Sequence, residues 1–160
     1  MILVSVGTFV RGFDALVEAA DSAVRALDVE GFSQIGHSAV HPRHLAWARF
    51  LPEAELCRRL RRADVVVCHG GMGILGQAMR AGRPIVAVPR RGPTTARNPA
   101  NDQSAFLDRL EQSYPIRVCR TLSGLAGQLG ELLETGPAAI EYRLGSDVPR
   151  LVGAFLAANP

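Results

Sequence analysis

The sequence predicts a single α/β domain in which a parallel sheet of about six strands has helices on both faces. Short apolar runs such as 2–6 and 65–68 lack the polar alternation of a half-exposed sheet, so they indicate strands buried on both sides. Segments with apolar residues at helical spacing separate these runs, as crossover connections between parallel strands require. The length of 160 residues suits one domain with one sizeable core.

The elements of the first half follow in order. "MILVSV" predicts the first strand, and "FDALVEAADSAVRALDV" places Leu16, Ala20, Val24 and Leu27 on one face of a helix. "FSQIG" predicts a brief strand and "HLAWARFL" an extended segment. "PEAELCRRLRRA" predicts a helix that opens at Pro52, and "DVVVCH" is the strongest strand of the sequence.

The second half continues the alternation. "MGILGQAMRAG" predicts a helix closed by Gly82, and "PIVAVP" predicts a strand. The loop "RRGPTTARNPAND" leads to the helix "QSAFLDRLEQS", the strand "IRVC" and the helix "LSGLAGQLGELLET". We expect one domain over residues 1–160 with a last helix at about 147–158. Phe13, Trp47 and Phe106 are expected in the core.

Composition excludes several classes of protein. No apolar run approaches the roughly 20 residues of a membrane span, and the N-terminus lacks the basic region and cleavage site of a signal peptide. The three cysteines form no CxxC pair, which fits a reducing cytoplasm. Aromatic residues are few and are not interleaved with arginines, so no nucleic-acid partner is expected. The net charge of +3 permits an acidic ligand.

A glycine-rich loop, His69-Gly70-Gly71-Met72-Gly73, follows the strongest strand and precedes a helix. Ligands of parallel α/β sheets bind at the carboxyl ends of the strands. Glycines let a backbone approach a ligand closely, and unpaired N–H groups at a helix start favour a phosphate. The loop therefore predicts a phosphate site, and a tight turn without ligand is the structural alternative.

The same loop fits a second pattern. Gly71, Gly73 and Gly76 match G-x-G-x-x-G, and Arg90 and Arg91 close the next strand, where an NADP-type site could hold a 2′-phosphate. Against this alternative, the dinucleotide pattern normally lies in the first strand–helix–strand unit, whereas here it lies in the middle of the chain.

The order of several blocks favours a nucleotide sugar instead. "SVGT", "SQIGHS", "FLPEAELCRRLRRADVVVCHGGMG", "RAGRPIVAVPRR" and "NDQSAFLDRL" together resemble the Rossmann-like, donor-binding C-terminal half of MurG-type GT-B glycosyltransferases (glycosyltransferase family 28). The match is best to free-standing catalytic subunits of two-chain enzymes that build N-acetylglucosaminyl lipids or exopolysaccharide. The resemblance implies inverting transfer from a UDP-sugar substrate, with neither a cofactor nor a bound metal.

The resemblance also implies roles for individual residues. Gly70, Gly71 and Gly73, with Met72 between them, match the loop that holds the donor diphosphate, and Gly7 and Thr8 match a second loop facing the donor. The resemblance further implies that the backbone of Leu51 reads uracil and that Gln103, with Asn101 beside it, contacts the sugar hydroxyls. His37 is expected at the rim of the pocket.

Several positions depart from the family pattern. Gln77 stands where a glutamate usually holds the ribose hydroxyls, so charge-assisted hydrogen bonds are lost there. Ile74 replaces a serine or threonine near the phosphates. Gly76 replaces a large apolar residue, and Asp102 stands at a position that is often histidine. These departures leave open a divergent enzyme or a degenerate, non-catalytic nucleotide-binding module.

Two further features have a structural and a functional interpretation. His37, His41 and His44 suggest a metal site, but Pro42 interrupts their spacing and no acidic or cysteine partner is near, so no metal is expected. The arginines of the second helix (Arg58, Arg59, Arg61 and Arg62) are either a solvated face or a surface for a partner or membrane.

The catalytic base is the weakest part of the prediction. His69 is the only candidate in the loop, and its ring could face either the core or the donor. In the enzymes that the chain resembles, the base and the acceptor site lie in the N-terminal half. We therefore expect a cytoplasmic donor-binding subunit that needs a membrane-anchored, acceptor-binding partner and meets the inner face of the membrane through it.

Overall fold

The computed structural model describes residues 1–92, 102–136, 139–143 and 145. Six parallel strands form one sheet in the order β3-β2-β1-β4-β5-β6, which confirms the predicted fold class. The strands are β1 (Ile2–Ser5), β2 (Gly31–Gln34), β3 (Ala46–Ala48), β4 (Val65–His69), β5 (Ile85–Val88) and β6 (Arg117–Val118). The helices are α1 (Asp14–Leu27), α2 (Glu53–Arg62), α3 (Met72–Arg80), α4 (Ser104–Ser113) and α5 (Leu125–Glu134), the last preceded by a 3-10 turn over Leu122–Gly124.

The strand order places a crevice at the middle of the sheet. The chain adds strands outward from β1 on one side through β2 and β3, and then returns to the other side of β1 with β4. Connections that leave β1 and β4 therefore diverge at their carboxyl ends, and α/β sheets bind ligands at such a switch point. The loop after β1 and the glycine-rich loop after β4 lie at this point.

Each face of the sheet has its own apolar core. Alternate residues of a strand point to opposite faces, so Ile2 and Val4 pack toward α1 and α5, whereas Leu3 packs toward α2, α3 and α4. This double burial explains the continuous apolar runs in the sequence. Fully buried leucines from helices on both faces complete the two cores: Leu16, Leu125 and Leu129 on one, and Leu60, Leu75 and Leu107 on the other.

Local signals at the helix ends match the structure. Pro52 immediately precedes α2, and Gly82, with a φ of +65°, follows α3. Residues 139–143 pack near the amino end of β5, where the Tyr142 hydroxyl donates to the carbonyl of Arg83 at 2.9 Å. The predicted last helix at 147–158 lies outside the described residues.

One core prediction is wrong. Trp47 is 40% exposed because it lies on β3, which is an edge strand with a neighbour on one side only. Its ring stacks on His41 with 4.7 Å between ring centroids. Phe13 and Phe106 are half-buried and pack against the two cores as expected.

Across the part of the chain that the structure describes, no helix combines the length and apolar character that a membrane crossing requires.

Candidate functional site

An open cleft of about 580 Å³ lies at the carboxyl ends of β1, β2 and β4, beside the first turn of α3. It is lined by Ser5, Gly7, Thr8, Phe9, Val10, Gln34, Leu56, His69, Gly71, Gly73, Ile74 and Gln77. A smaller groove of about 330 Å³ lies between α2 and α3 and shares only Gln77 with the cleft. The larger cleft is the candidate site because it contains the switch point and both glycine loops.

The imidazole of His69 lies in the cleft between the two glycine loops. A Cβ atom on Gly7 would come within 2.4 Å of its Cε1 atom, and a Cβ on Gly71 within 2.2 Å of its Nε2 atom. Gly7 also has a φ of +74°, which disfavours any larger residue. Both glycines are therefore required by the close approach of this ring, and the ring faces the cleft.

The surroundings of His69 favour its neutral form. Burial lowers the pKa of the imidazole and the nearby Arg90 guanidinium lowers it further, while the backbone of Ser5 acts in the opposite direction. The buried Nδ1 atom has no hydrogen-bond partner among the described residues. A neutral ring near pH 7 can accept a hydrogen bond or a proton from a bound ligand.

The N–H groups of the first two glycines of the glycine-rich loop already form hydrogen bonds within the protein. The Gly70 N–H donates to Gln103 Oε1 at 2.9 Å, and the Gly71 N–H donates to the carbonyl of His69 at 2.8 Å. These bonds fix the turn between β4 and α3. They also make Gly70 and Gly71 supports of the loop rather than free donors.

The free donors lie one step further along the chain. Gly71 precedes α3, and the first backbone bond of this helix runs from the Leu75 N–H to the Gly71 carbonyl at 3.1 Å. The N–H groups of Met72, Gly73 and Ile74 have no acceptor among the described residues. Together with the positive end of the helix dipole they form an anion site at the wall of the cleft.

Gln103 joins the loops that leave β4 and β5. Its Oε1 atom accepts from the N–H of Gly70 at 2.9 Å and from that of Arg90 at 3.1 Å. Its own N–H donates to the Arg90 carbonyl at 2.9 Å. The acceptor atom of the side chain is thus committed, and only its NH2 group is left to meet a ligand.

Arg90 is committed to the loop between β1 and α1. Its guanidinium donates to the carbonyls of Val6 at 3.2 Å, Arg11 at 3.0 Å and Gly12. Burial lowers its pKa. A guanidinium bonded in this way does not extend freely from the end of β5, as the alternative of a 2′-phosphate site would need.

The third glycine of the G-x-G-x-x-G pattern also lacks its usual role. In a dinucleotide site that glycine allows a helix to pack closely on a strand. A Cβ on Gly76 would meet only the Arg80 side chain, at 3.4 Å. The geometry around α3 therefore favours the phosphate loop over the dinucleotide pattern.

The cleft contains residues that the sequence analysis did not select. Ser5 and Gln34 lie at the ends of paired strands, and the Ser5 hydroxyl donates to Gln34 Oε1 at 3.2 Å. Both side chains are buried, with 1% and 4% exposure. A polar residue at the end of an otherwise apolar strand was the available signal, since it marks the edge of the sheet where ligands bind.

Other predicted residues lie around the cleft rather than in its lining. Leu51 is half-buried against the core between α2 and α3. His37 is exposed and packs edge-on against Phe50, with 5.1 Å between ring centroids. Met72 is 67% exposed at the start of α3. Asn101 lies outside the described residues.

Two departures from the family pattern lie in the cleft wall. Ile74 is buried and places an apolar side chain where a hydroxyl was expected. Gln77 is half-buried one helical turn beyond Gly73 and borders both the cleft and the smaller groove. The cleft therefore has an apolar side toward α2 and α3 and a polar end at the amino terminus of α3.

The three histidines between β2 and β3 make separate contacts. His37 meets Phe50, His41 stacks on Trp47, and the N–H of His44 donates to Asp21 at 2.7 Å. Among the described residues, no group of three or more His, Cys, Asp or Glu side chains is arranged to hold a metal ion.

Solved structures of several glycosyltransferases contain a region similar to this chain. The glycosyltransferase of kitacinnamycin is 26% identical, with a TM-score of 0.55, and the match covers 82% of this chain and 34% of that one. MurG of Acinetobacter baumannii is 21% identical, with a TM-score of 0.57 and coverages of 82% and 40%. The glycosyltransferase VinC, solved in complex with dTDP, is 20% identical, with a TM-score of 0.55 and coverages of 82% and 33%.

The fold is that of one part of a GT-B glycosyltransferase. The chain spans between 33% and 40% of the length of these three structures. No protein-family model and no curated protein matches the sequence.

The two glycines next to α3 should respond differently to alanine. A Cβ on Gly71 would press on the His69 ring, whereas a Cβ on Gly73 meets nothing within 4 Å. Gly71→Ala should lower the free energy of unfolding by about 1–3 kcal/mol, and Gly73→Ala should leave it unchanged or raise it slightly. Urea denaturation measures both, and equal losses would contradict the close packing around His69.

The buried imidazole should make stability depend on pH. The pKa of His69 is lower in the folded state. At pH values below about 6.5, the ordinary pKa of histidine, the unfolded chain therefore binds more protons than the folded chain. This contribution is present above that pH and is lost as pH falls through the folded pKa. His69→Asn should therefore reduce the loss of stability between about pH 7 and pH 5 in urea titrations, with His44→Asn as control. An identical loss in wild type and His69→Asn would contradict the burial of this ring.

Proposed function

We propose that this chain is the donor-binding catalytic subunit of an inverting, metal-independent glycosyltransferase that moves a sugar from a UDP-sugar to a lipid-linked or glycan acceptor. The observation that supports it most is the pair of N–H groups of Gly73 and Ile74 at the start of α3, which border the cleft and have no acceptor among the described residues. This arrangement suits a diphosphate, and the fold is that of the GT-B glycosyltransferases.

The proposed chemistry is displacement at the anomeric carbon. An acceptor hydroxyl attacks that carbon, the bond to the diphosphate breaks with its electron pair, and the hydroxyl proton passes to a base. Negative charge develops on the leaving diphosphate, and the positive end of the α3 dipole stabilises it there. Gly73 and Ile74 would donate to the phosphate oxygens from the main chain.

Two glutamines would orient the rest of the donor. The NH2 group of Gln103 is available to a sugar hydroxyl, because its oxygen already bonds to Gly70 and Arg90. Gln77, in the wall of the cleft, would hold the ribose with neutral hydrogen bonds. Leu51 would contact the uracil edge through its backbone, and His37 would lie at the rim of the donor pocket.

His69 would face the diphosphate. The ring lies between Gly7 and Gly71 on the donor side of the cleft, and its neutral form can accept a proton. Among the described residues, no carboxylate forms a hydrogen bond with the buried Nδ1 atom of His69 and so orients the ring. The base that takes the proton of the acceptor hydroxyl would then come from outside the residues that the structure describes.

The acceptor site is proposed to lie on a second, membrane-anchored chain. The sequence spans about a third of the length of the solved glycosyltransferases it matches. We assign acceptor binding to a separate subunit because the sequence blocks resemble the catalytic subunits of two-chain enzymes, and this subunit would also bring the pair to the inner face of the membrane.

A non-catalytic nucleotide-binding module is the second candidate. Ile74, with 7% exposure, removes a hydroxyl from the phosphate end, and Gln77 removes a charge from the ribose end. Such a module would bind UDP without supporting transfer when an acceptor subunit is present.

A uridine nucleotide should stabilise the chain and NADP should not. At a concentration about 100 times its Kd, UDP should raise Tm by roughly 5 °C in a thermal-shift measurement. dTDP is the matched competitor, since it has the same diphosphate with a different base and sugar. A clear shift with NADP and none with UDP would overturn the proposed ligand class.

Gln77→Glu should tighten UDP binding. A carboxylate restores charge-assisted hydrogen bonds to the ribose and adds on the order of 1 kcal/mol to the binding free energy in calorimetry. Gln112→Glu makes the same charge change at an exposed position of α4 and should have no effect. Weaker or unchanged binding would show that α3 does not present this position to the ribose.

Transfer should require both chains. The purified chain mixed with its candidate membrane-associated partner, a UDP-sugar and a lipid-linked acceptor should give product, whereas neither protein alone should. Product is measured by mass spectrometry of the lipid. Turnover by this chain alone would refute the two-chain proposal, and UDP binding without turnover in the mixture would favour the non-catalytic module.

A further inference from the structure

One wall of the cleft has little hydrogen bonding of its own. The segment Gly7–Val10, between β1 and α1, lines the cleft, and Val10 is 75% exposed. Among the described residues, no main-chain N–H from Gly7 to Gly12 finds an acceptor. The position of this wall must therefore depend on contacts made to it by other parts of the chain.

The Arg90 guanidinium makes such contacts at both ends of the segment. Its Nη2 atom donates to the carbonyl of Val6, 3.2 Å away and just before the segment. Its Nη1 atom donates to the carbonyls of Arg11, at 3.0 Å, and Gly12, just after the segment. The planar guanidinium of Arg90 thus holds the residues on both sides of the segment Gly7–Val10.

Aromatic rings and Gln103 hold the guanidinium in place. Its Cζ atom lies 4.6 Å from the centroid of the Phe13 ring and 5.4 Å from that of Phe9. The main chain of Arg90 is bonded through both its N–H and its carbonyl to Gln103. The clamp is therefore anchored on the same residue that joins the loops after β4 and β5.

We propose that Arg90 is a positioning residue that holds Gly7–Val10 in the conformation that lines the donor cleft. Its effect on ligand binding rests on the proposed function, whereas its effect on the loop does not. A loop already held in its bound conformation loses less entropy when ligand binds, so affinity rises without any contact between Arg90 and the ligand. Lysine has one compact ammonium group and cannot reproduce a planar fork between two rings and three carbonyls.

The direct test is trypsin cleavage of the ligand-free chain after Arg11, which is exposed within the loop. Cleavage at Arg11–Gly12 should be about tenfold faster in Arg90→Gln, which corresponds to the loss of about one net hydrogen bond, and intermediate in Arg90→Lys. Mass spectrometry identifies the fragment that begins at Gly12. Arg109→Gln and Arg109→Lys are the matched controls, because Arg109 is exposed on α4 and its side chain has no bonded partner among the described residues.

The outcomes separate positioning from general stability. Faster cleavage confined to Arg11–Gly12 supports the proposal, whereas wild-type rates, or equal acceleration at all arginine bonds, overturn it. Should Arg90→Gln fail to fold by circular dichroism, Arg90→Lys decides by the same criterion.

A calorimetric measurement with UDP then tests the consequence for binding. Arg90→Gln should weaken UDP by about tenfold, and Arg109→Gln should not. Unchanged UDP affinity together with faster cleavage would overturn the claim that the clamp organises the donor site. If wild type itself does not bind UDP, the proposed function fails, and the cleavage result alone still decides whether Arg90 holds the loop.

Discussion

The side-chain oxygen of Gln103 accepts two main-chain N–H groups, from Gly70 and Arg90, and the geometry of the cleft depends on this junction. Neighbouring strands β4 and β5 end side by side. One amide oxygen ties the two loops together. Through Gly70 the junction sets the start of α3, and through Arg90 it sets the loop after β1.

The same junction explains the tight packing at the glycines. A Cβ on Gly70 would come within 3.0 Å of the Gln103 side chain and 3.1 Å of Leu107. On the other side, Gly7 and Gly71 make room for the His69 ring. Gly7, Gly70 and Gly71 are therefore required by protein side chains that crowd the loop, and the backbone freedom of Gly7 adds to that requirement. A phosphate would meet the N–H groups that follow, not the glycines that turn the corner.

Among the described residues, positive charge at this site comes from the amino end of α3 and from Arg90. Arg90 is occupied by three carbonyls, and the basic residues of α2 lie on a different surface from the cleft. The hydrogen bonds to an anion are therefore left to the amino end of α3, whose partial positive charge is fixed in direction by the helix, while the charge of Arg90, which lowers the pKa of His69, adds to the positive potential of the site. Such a donor set needs little rearrangement when charge develops on a leaving group, which is the property that favours transfer chemistry.

The sequence by itself predicted the strands and helices of the described residues and the glycine-rich loop that borders the cleft. The local signals are the apolar runs, the proline before α2 and the glycine after α3. The loop after β4 can likewise be recognised from its run of glycines. Even β3 could be predicted as extended, although the exposure of Trp47 could not, because an edge position depends on strand order rather than on local pattern.

Only the tertiary structure decided which atoms are free to bind a ligand. Gly70 and Gly71 look like phosphate donors in the sequence, but their N–H groups are satisfied by Gln103 and His69. Arg90 looks like a residue for an anion, but its guanidinium holds the loop after β1. The bonds from Gly70 to Gln103 and from Arg90 to Val6 join residues 33 and 84 positions apart along the chain, and hydrogen bonds over such separations exist only once the strands have been placed side by side.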